Sequence, residues 1–123
     1  MDINAFWKDV LAQNEEALPA YFHPDATIRW HCSDEEFTVA EYVRANCTYP
    51  GEWDGVIERI EPLANGWVTA VAVWPEGRET RHHVVSFFTV DGEKITGLDE
   101  YWADDGDVPL WRQRLSLGRR IGG

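Results

Sequence analysis

The second half of the chain restricts the possible fold most, because it consists of long runs rich in valine, isoleucine, threonine and aromatic residues. Short turn sequences separate these runs at Asn65-Gly66, Pro75-Glu76-Gly77 and Asp91-Gly92. Turns of this kind join neighbouring antiparallel strands, so the pattern predicts a β-meander. Strands are predicted at about residues 53–62, 67–74, 79–90 and 94–102.

The N-terminal part of the chain has helical periodicity instead. An apolar stripe predicts a first helix over residues 2–13, with Asp2 in position to cap it. Asn14 can cap a second short helix, which Pro19 makes irregular because proline lacks a backbone donor. The apolar stripe of the first helix consists of Ile3, Phe6, Trp7, Val10 and Leu11.

A short strand and a third helix complete the predicted elements. The strand covers residues 26–30, and the polar residues 33–36 after it predict a surface loop. Thr38 and Glu41 match the Thr-x-x-Glu capping box, which is a specific signal for a helix start. The resulting element order predicts an α+β fold, with the helices on one face of a curved sheet.

The length and net charge of the chain limit the number of domains and the kinds of partner that we expect. The chain has 123 residues, a size at which one hydrophobic core is usual, so we expect a single domain over residues 1–123. Its formal net charge of −11 disfavours nucleic acid and anionic membranes as partners, because binding phosphates depends on lysine and arginine.

The same sequence offers no secretion signal, membrane span or cofactor motif, and we expect a cytoplasmic protein without a cofactor. Cys32 and Cys47 lack a CxxC spacing and are expected to be reduced thiols, although a bridge between them is compatible with the sequence. The histidines do not match a recognised zinc spacing, so no metal site is predicted.

Two segments resemble the SnoaL-like branch of the nuclear transport factor 2-like superfamily. The first is Tyr21-Phe22-His23-Pro24-Asp25-Ala26, at the passage from helix to strand. The second is the final hairpin, with Val90-Asp91-Gly92, Ile95, Asp99-Glu100-Tyr101-Trp102-Ala103-Asp104-Asp105-Gly106, Pro109, Trp111 and Arg112.

This resemblance implies a cone-shaped half-barrel, in which a strongly bent antiparallel sheet packs against about three N-terminal helices. It also implies a deep cavity between sheet and helices and a homodimer formed through the sheet. The superfamily includes ketosteroid isomerases, polyketide cyclases, epoxide hydrolases, dehydratases and transport factors, so the fold alone does not select a reaction.

Glu100 is the leading candidate for a catalytic residue. Side chains alternate along a strand, so Leu98, Glu100 and Trp102 share one face, and the resemblance implies that this face lines the cavity. An apolar pocket disfavours the charged form of a carboxyl group, which makes it a usable general acid or base. Alternatively, Glu100 orients a neighbouring side chain or faces water.

A histidine on the preceding strand is the second candidate. Antiparallel pairing brings His82 and His83 near the end of the last strand, and a register that pairs Val84 with Glu100 directs His82 into the cavity. A slip by one residue selects His83 instead. The sequence thus predicts Glu100 and His82 as catalytic and a ligand pocket formed by Trp30, Cys32, Val84, Ser86, Phe88, Leu98 and Trp102.

Two functions fit these residues about equally well. One is acid–base catalysis, of the isomerase, cyclase or dehydratase type, on a small hydrophobic or aromatic molecule. The other is a noncatalytic ligand-binding or accessory module, which the absence of a complete ketosteroid isomerase or epoxide hydrolase residue set favours. An interaction protein that uses the exposed sheet is a third possibility.

Overall fold

The structure is a computed structural model, and it describes residues 1–122. The two longer helices lie in the first half of the chain, and the four longest strands follow one another in the second half. The helices are α1 (Ile3–Leu11), α2 (Val39–Thr48) and the short α3 (Leu110–Gln113). The strands are β1 (Phe22–Trp30), β2 (Glu35–Phe37), β3 (Trp53–Leu63), β4 (Gly66–Pro75), β5 (His82–Asp91) and β6 (Lys94–Asp104).

The helix caps predicted at Asp2 and Thr38 are confirmed. The Asp2 side chain accepts a hydrogen bond from the Ala5 backbone N–H at the start of α1. Thr38 and Glu41 form the complete capping box at the start of α2. Between these helices, the second predicted helix is reduced to a single 3-10 turn, Leu18–Tyr21, because Pro19 lies in its first turn.

The strands form one open sheet in the order β2-β1-β6-β5-β4-β3. This confirms the predicted α+β fold class and corrects two details. The sheet is mixed rather than fully antiparallel, because β1 runs parallel to β6. The predicted loop at 33–36 contains the edge strand β2, which pairs with the end of β1.

The four meander strands are confirmed, but the predicted register between β5 and β6 is wrong. Glu100 pairs with Ser86, and Val84 pairs with Trp102. The observed pairing differs from the predicted one by two residues, of which the register shift between Thr89 and Val90 contributes one and the pairing at the Asp91-Gly92 turn the other. Because two residues is one full side-chain period, Glu100 still points to the predicted face.

The core lies between the helices and the inner face of the sheet. Phe6 of α1 is fully buried and makes edge-to-face contacts with four other aromatic rings. Those rings belong to Trp7, Tyr21, Phe22 and Phe88. The opposite face of the sheet has no helix on it within residues 1–122, and it exposes apolar side chains such as Phe87 and Tyr101.

Two further observations concern the residues that the structure describes. Among them, no helix has the length and apolar character needed to cross a membrane. No group of three or more His, Cys, Asp and Glu side chains among residues 1–122 is arranged to hold a metal ion.

Candidate functional site

A pocket of about 370 Å³ lies between α1, the end of α2 and one end of the sheet. The C-terminal ends of β1, β4 and β6 and the N-terminal ends of β3 and β5 meet at this place. Four tryptophans dominate its wall: Trp7, Trp30, Trp53 and Trp102. The other lining residues are Val10, Leu11, Gln13, Cys32, Ser33, Glu35, Asn46, Tyr49, Val73, His82 and Asp104.

Side-chain amides fix the two helices that cover the pocket. Gln13 Nε2 donates to the backbone carbonyls of Asn46 and Tyr49, at 2.9 Å and 2.7 Å. Asn46 Nδ2 donates in return to the carbonyl of Val10, at 3.1 Å. Gln13 has a left-handed backbone with φ of 52°, a conformation that costs a non-glycine residue about 1 kcal/mol. These bonds hold the ends of α1 and α2 together.

Glu100 lies behind two of the pocket tryptophans. Its side chain is 1% exposed, and its two oxygens accept hydrogen bonds from different elements. Trp30 Nε1 donates to Oε1 at 3.1 Å, and Ser86 Oγ donates to Oε2 at 2.6 Å. The buried carboxyl group therefore joins β1, β5 and β6 directly beneath the pocket.

Trp102 contributes a third N–H group near the same carboxylate. Its indole lowers the pKa of Glu100, yet Trp102 Nε1 has no partner within hydrogen-bond geometry among the described residues. We conclude from the geometry that Trp102 Nε1 lies close to the carboxylate without completing a hydrogen bond. A small rotation of the indole would complete it.

Burial raises the pKa of Glu100 from 4.5 to about 6, since the charged form is removed from water. The hydrogen bond from Ser86 is the largest opposing effect, followed by the contributions of Trp30 and Trp102. These donors stabilise the anion, but none of them carries a positive charge. Glu100 therefore changes protonation state close to neutral pH.

The predicted placement of Glu100 differs from the observed one in a way that matters for chemistry. Its side chain points to the inner face of the sheet, but it does not line the pocket, because Trp30 and Trp102 stand between them. A ligand in the pocket would meet the indoles first. Direct proton transfer to Glu100 would require one of these indoles to move.

His82 lines the pocket, and His83 lies on the opposite face of the sheet. His82 Nδ1 is 2.7 Å from Asp104 Oδ1, and its Nε2 is 3.0 Å from Thr80 Oγ1. The predicted contact between His82 and Glu100 is absent, because the observed register places His82 opposite Asp104. That is four residues beyond Glu100, or roughly 13 Å along the strand.

The other predicted pocket residues fall into two groups. Trp30, Cys32 and Trp102 line the pocket. The remaining members are buried in the core below it, because the helices pack directly against this part of the sheet. That second group consists of Val84, Ser86, Phe88 and Leu98, of which Ser86 reaches the site only through its bond to Glu100.

Sequence reasoning missed the helical and loop residues of the wall. Trp7 was assigned to the core stripe of α1, although the same indole also borders the pocket. Asp104 lies beyond the predicted end of the last strand at residue 102, but it ends β6 and contacts His82. A tryptophan in the apolar stripe of α1 was the available signal, since large aromatic residues often border pockets.

Comparison with known proteins adds a fold but no reaction. No family model matches the sequence, and no curated protein matches it either. Solved structures do match. A candidate ketosteroid isomerase from Kribbella flavida is 20% identical with a TM-score of 0.78, and the match covers 95% of this chain and 85% of that one.

Two further structures have the same architecture. A nuclear transport factor 2-like protein of unknown function from Burkholderia xenovorans is 22% identical, with a TM-score of 0.77 and coverage of 98% and 92% of the two chains. A candidate SnoaL-like polyketide cyclase from a Jannaschia species is 11% identical, with a TM-score of 0.69 and coverage of 81% of each chain. The chain therefore has the fold of the nuclear transport factor 2-like superfamily, in agreement with the SnoaL-like resemblance of its sequence.

Proposed function

We propose that this protein binds a small, largely apolar or aromatic molecule in the pocket between α1, α2 and the sheet. The observation that carries the proposal is the wall of four indoles around about 370 Å³ of space. Aromatic walls with a few polar groups are typical of small-molecule sites. Gln13 and Asn46 hold the covering helices in place, so the site is preformed and little ordering would oppose binding.

The binding function can be tested with a pocket-filling substitution. We expect a library of aromatic and aliphatic fragments to give hits by ligand-observed NMR with the wild-type chain. Val73→Phe places a ring into the pocket and should abolish most of these hits. Val85→Phe adds the same ring on the outer face of the sheet and should retain them.

The two variants must both be folded, which circular dichroism and thermal unfolding will establish. Hits that persist in Val73→Phe would locate binding elsewhere on the molecule. An absence of hits in the wild-type chain at millimolar fragment concentration would contradict a ligand-binding function.

Acid–base catalysis in the same pocket is the second candidate function. Two observations favour it: the contact of His82 with Asp104 on the pocket wall, and a buried carboxyl group whose pKa is about 6. An aspartate next to a histidine holds its ring in one tautomer, which suits a general base. In this reaction His82 would take a proton from a ligand carbon. Glu100 would exchange a proton with the ligand only after one of the covering indoles moved.

Hydrogen exchange measures this step without knowledge of the physiological substrate. A ketone fragment that binds the pocket is incubated in D₂O, and loss of its α-hydrogen signal is followed by NMR. Catalysis requires that His82→Gln slows the exchange while His83→Gln, on the outer face, does not. If the wild-type chain did not accelerate exchange above the rate in buffer, the catalytic proposal would be contradicted and the binding proposal would be unaffected.

We further propose that two copies associate through the outer face of the sheet, as the sequence resemblance implies. Val85, Phe87 and Tyr101 are 38%, 41% and 45% exposed there. Val85 is paired with Tyr101 across β5 and β6, and the rings of Phe87 and Tyr101 are 6.1 Å apart. These side chains therefore form one continuous apolar patch, which is a common feature of association surfaces.

A further inference from the structure

We infer that the ligand of this pocket is a compact organic cation, such as an ammonium group that carries apolar or aromatic substituents. The inference rests on the proposed binding function and adds the charge of the ligand. Three features support a cationic ligand: the four indoles of the wall, the sign of the charged groups around the pocket, and the position of the buried Glu100 carboxylate.

The four indole rings provide the first argument, since three of them use their N–H edge in hydrogen bonds within the protein. Trp7, Trp30, Trp53 and Trp102 come from four different elements and surround one space. The face of an aromatic ring carries partial negative charge, and tryptophan binds cations more strongly than phenylalanine or tyrosine does. A wall of several indoles is the arrangement that proteins use for quaternary ammonium groups.

The charged groups at the pocket have a single sign. Glu35 and Asp104 line it, together with His82, which already contacts Asp104. Within residues 1–122, the lining includes no lysine or arginine. The whole chain has a formal net charge of −11. The acidic side chains of the lining would therefore repel an anionic ligand and attract a cation.

Glu100 strengthens the attraction from behind the wall. Trp30 donates its N–H to this carboxylate, and Trp102 Nε1 lies close to it. An indole that donates to an anion becomes more electron-rich on its ring face, because hydrogen bonds in a low-dielectric interior polarise their members. No lysine, arginine or histidine among the described residues forms an ion pair with Glu100. Its charge therefore remains uncompensated until a cation occupies the pocket.

The same features exclude an inorganic cation as the best match. Ca²⁺ and Mg²⁺ require several oxygen ligands that converge on one point, and the described residues contain no such group of acidic or histidine side chains. The wall is mainly apolar carbon, which suits alkyl groups on nitrogen. A permanently charged ammonium ion satisfies both the apolar and the electrostatic character of the wall.

A matched pair of probes tests the inference directly. The cation is 3-hydroxy-N,N,N-trimethylanilinium, and the neutral compound of the same shape is 3-tert-butylphenol. If the site recognises only apolar surface, the neutral compound binds more tightly, because it loses less hydration. If the site recognises charge, we expect the cation to bind roughly tenfold more tightly by calorimetry at pH 7, where Glu100 is mostly ionised and the phenol of the probe keeps its proton.

Substitutions then assign the preference to the named residues. Glu100→Gln should lower the affinity for the cation several-fold and leave that for the neutral compound unchanged. Asp99→Asn, which removes the same charge from the outer face of the same strand, should change neither affinity. Trp53→Leu should lower the affinity for the cation more than the affinity for the neutral compound. Trp74→Leu, on the outer face, should change neither affinity.

The outcomes test the preference for a cation separately from the proposed binding function. Tighter binding of 3-tert-butylphenol, with no response of the cation to Glu100→Gln or Trp53→Leu, would overturn the charge preference and leave the pocket as a site for neutral molecules. Failure of both probes to bind at millimolar concentration would contradict the inference and the proposed binding function together.

Discussion

Glu100 is a carboxyl group that the fold buries without a cation beside it, and this makes the stability of the protein depend on pH. Its pKa is raised from 4.5 to about 6 in the folded chain. Between these values the folded state holds a proton that the unfolded state has released, so stability falls as the pH rises through this window. The loss amounts to about 2 kcal/mol, since one pKa unit corresponds to about 1.4 kcal/mol.

Glu100→Gln removes this dependence, because glutamine does not titrate. We expect the free energy of unfolding of the wild-type chain, minus that of Glu100→Gln, to fall by about 2 kcal/mol from pH 4.5 to pH 7. Urea unfolding at a series of pH values measures it. Asp91→Asn, at an exposed carboxyl group at the end of β5, is the control and should give a nearly constant difference. If the free energy of unfolding depended on pH in the same way for wild type and Glu100→Gln, burial would not raise the pKa of this carboxyl group.

The residue scale also shows how far the site could be predicted. Strand alternation grouped Leu98, Glu100 and Trp102 on one face, and the family resemblance identified that face as the inner one. His82 was placed correctly because the observed register differs from the predicted one by an even number of residues. Alternation could not predict that Trp30 and Trp102 cover Glu100, since this depends on how three strands and two indoles meet. The partner of His82 was mispredicted for the same reason: contacts across strands depend on register.

At the scale of elements, the bulge between β5 and β6 is the feature that the sequence did not reveal. The Asp91-Gly92 turn identified the hairpin, but the extra residue near Thr89 and Val90 changed which residues lie opposite each other. A bulge has no strong sequence signature of its own. Helix starts were predictable because the capping residues Asp2 and Thr38 act through local hydrogen bonds.

Two glycines beside this hairpin have different requirements, although both pair with Thr89. A Cβ atom at Gly66 would lie 1.7 Å from the carbonyl oxygen of Phe88, so the backbone would have to separate. A Cβ atom at Gly97 would meet nothing closer than 3.8 Å, which is ordinary contact. We expect Gly66→Ala to destabilise the protein by about 3 kcal/mol or more, and Gly97→Ala by less than about 1 kcal/mol.

Thermal or urea unfolding of both alanine variants checks this difference under one set of conditions. Because the two substitutions add the same methyl group to β4 and β6, the strands on either side of β5, propensity effects largely cancel. Equal stabilities of the two variants would mean that the close approach of β4 to the Phe88 carbonyl is not maintained in solution.

At the scale of the whole molecule, the fold was predictable because its signals are local and repeated. The meander strands, their turns and two capped helices each appear as separate patterns in the sequence, and together they allow few α+β arrangements. The parallel pairing of β1 with β6 was not predicted. It joins segments far apart in the chain, and short apolar runs such as residues 26–30 do not specify a neighbour.

The outer face of the sheet leads to a prediction about assembly that involves the charge of the whole chain. Two copies each carrying a formal charge of −11 repel one another, while the patch of Val85, Phe87 and Tyr101 favours association. Salt screens repulsion between exposed charges and leaves apolar contact largely intact. We therefore expect a dimer whose dissociation constant falls as sodium chloride is raised from low to physiological concentration, measured by analytical ultracentrifugation.

Phe87→Glu would place a charge at the centre of this patch and should raise the dissociation constant roughly tenfold or more, because an unpaired charge is costly to bury. Leu117→Glu adds the same charge to an exposed apolar residue outside the sheet and should leave the dimer intact. A wild-type chain that remains monomeric at high salt, or a dimer that Phe87→Glu does not weaken, would show that this face is not the association surface. Pocket binding would remain testable in either case, since His82 and the pocket tryptophans lie on the opposite side of the sheet from Phe87.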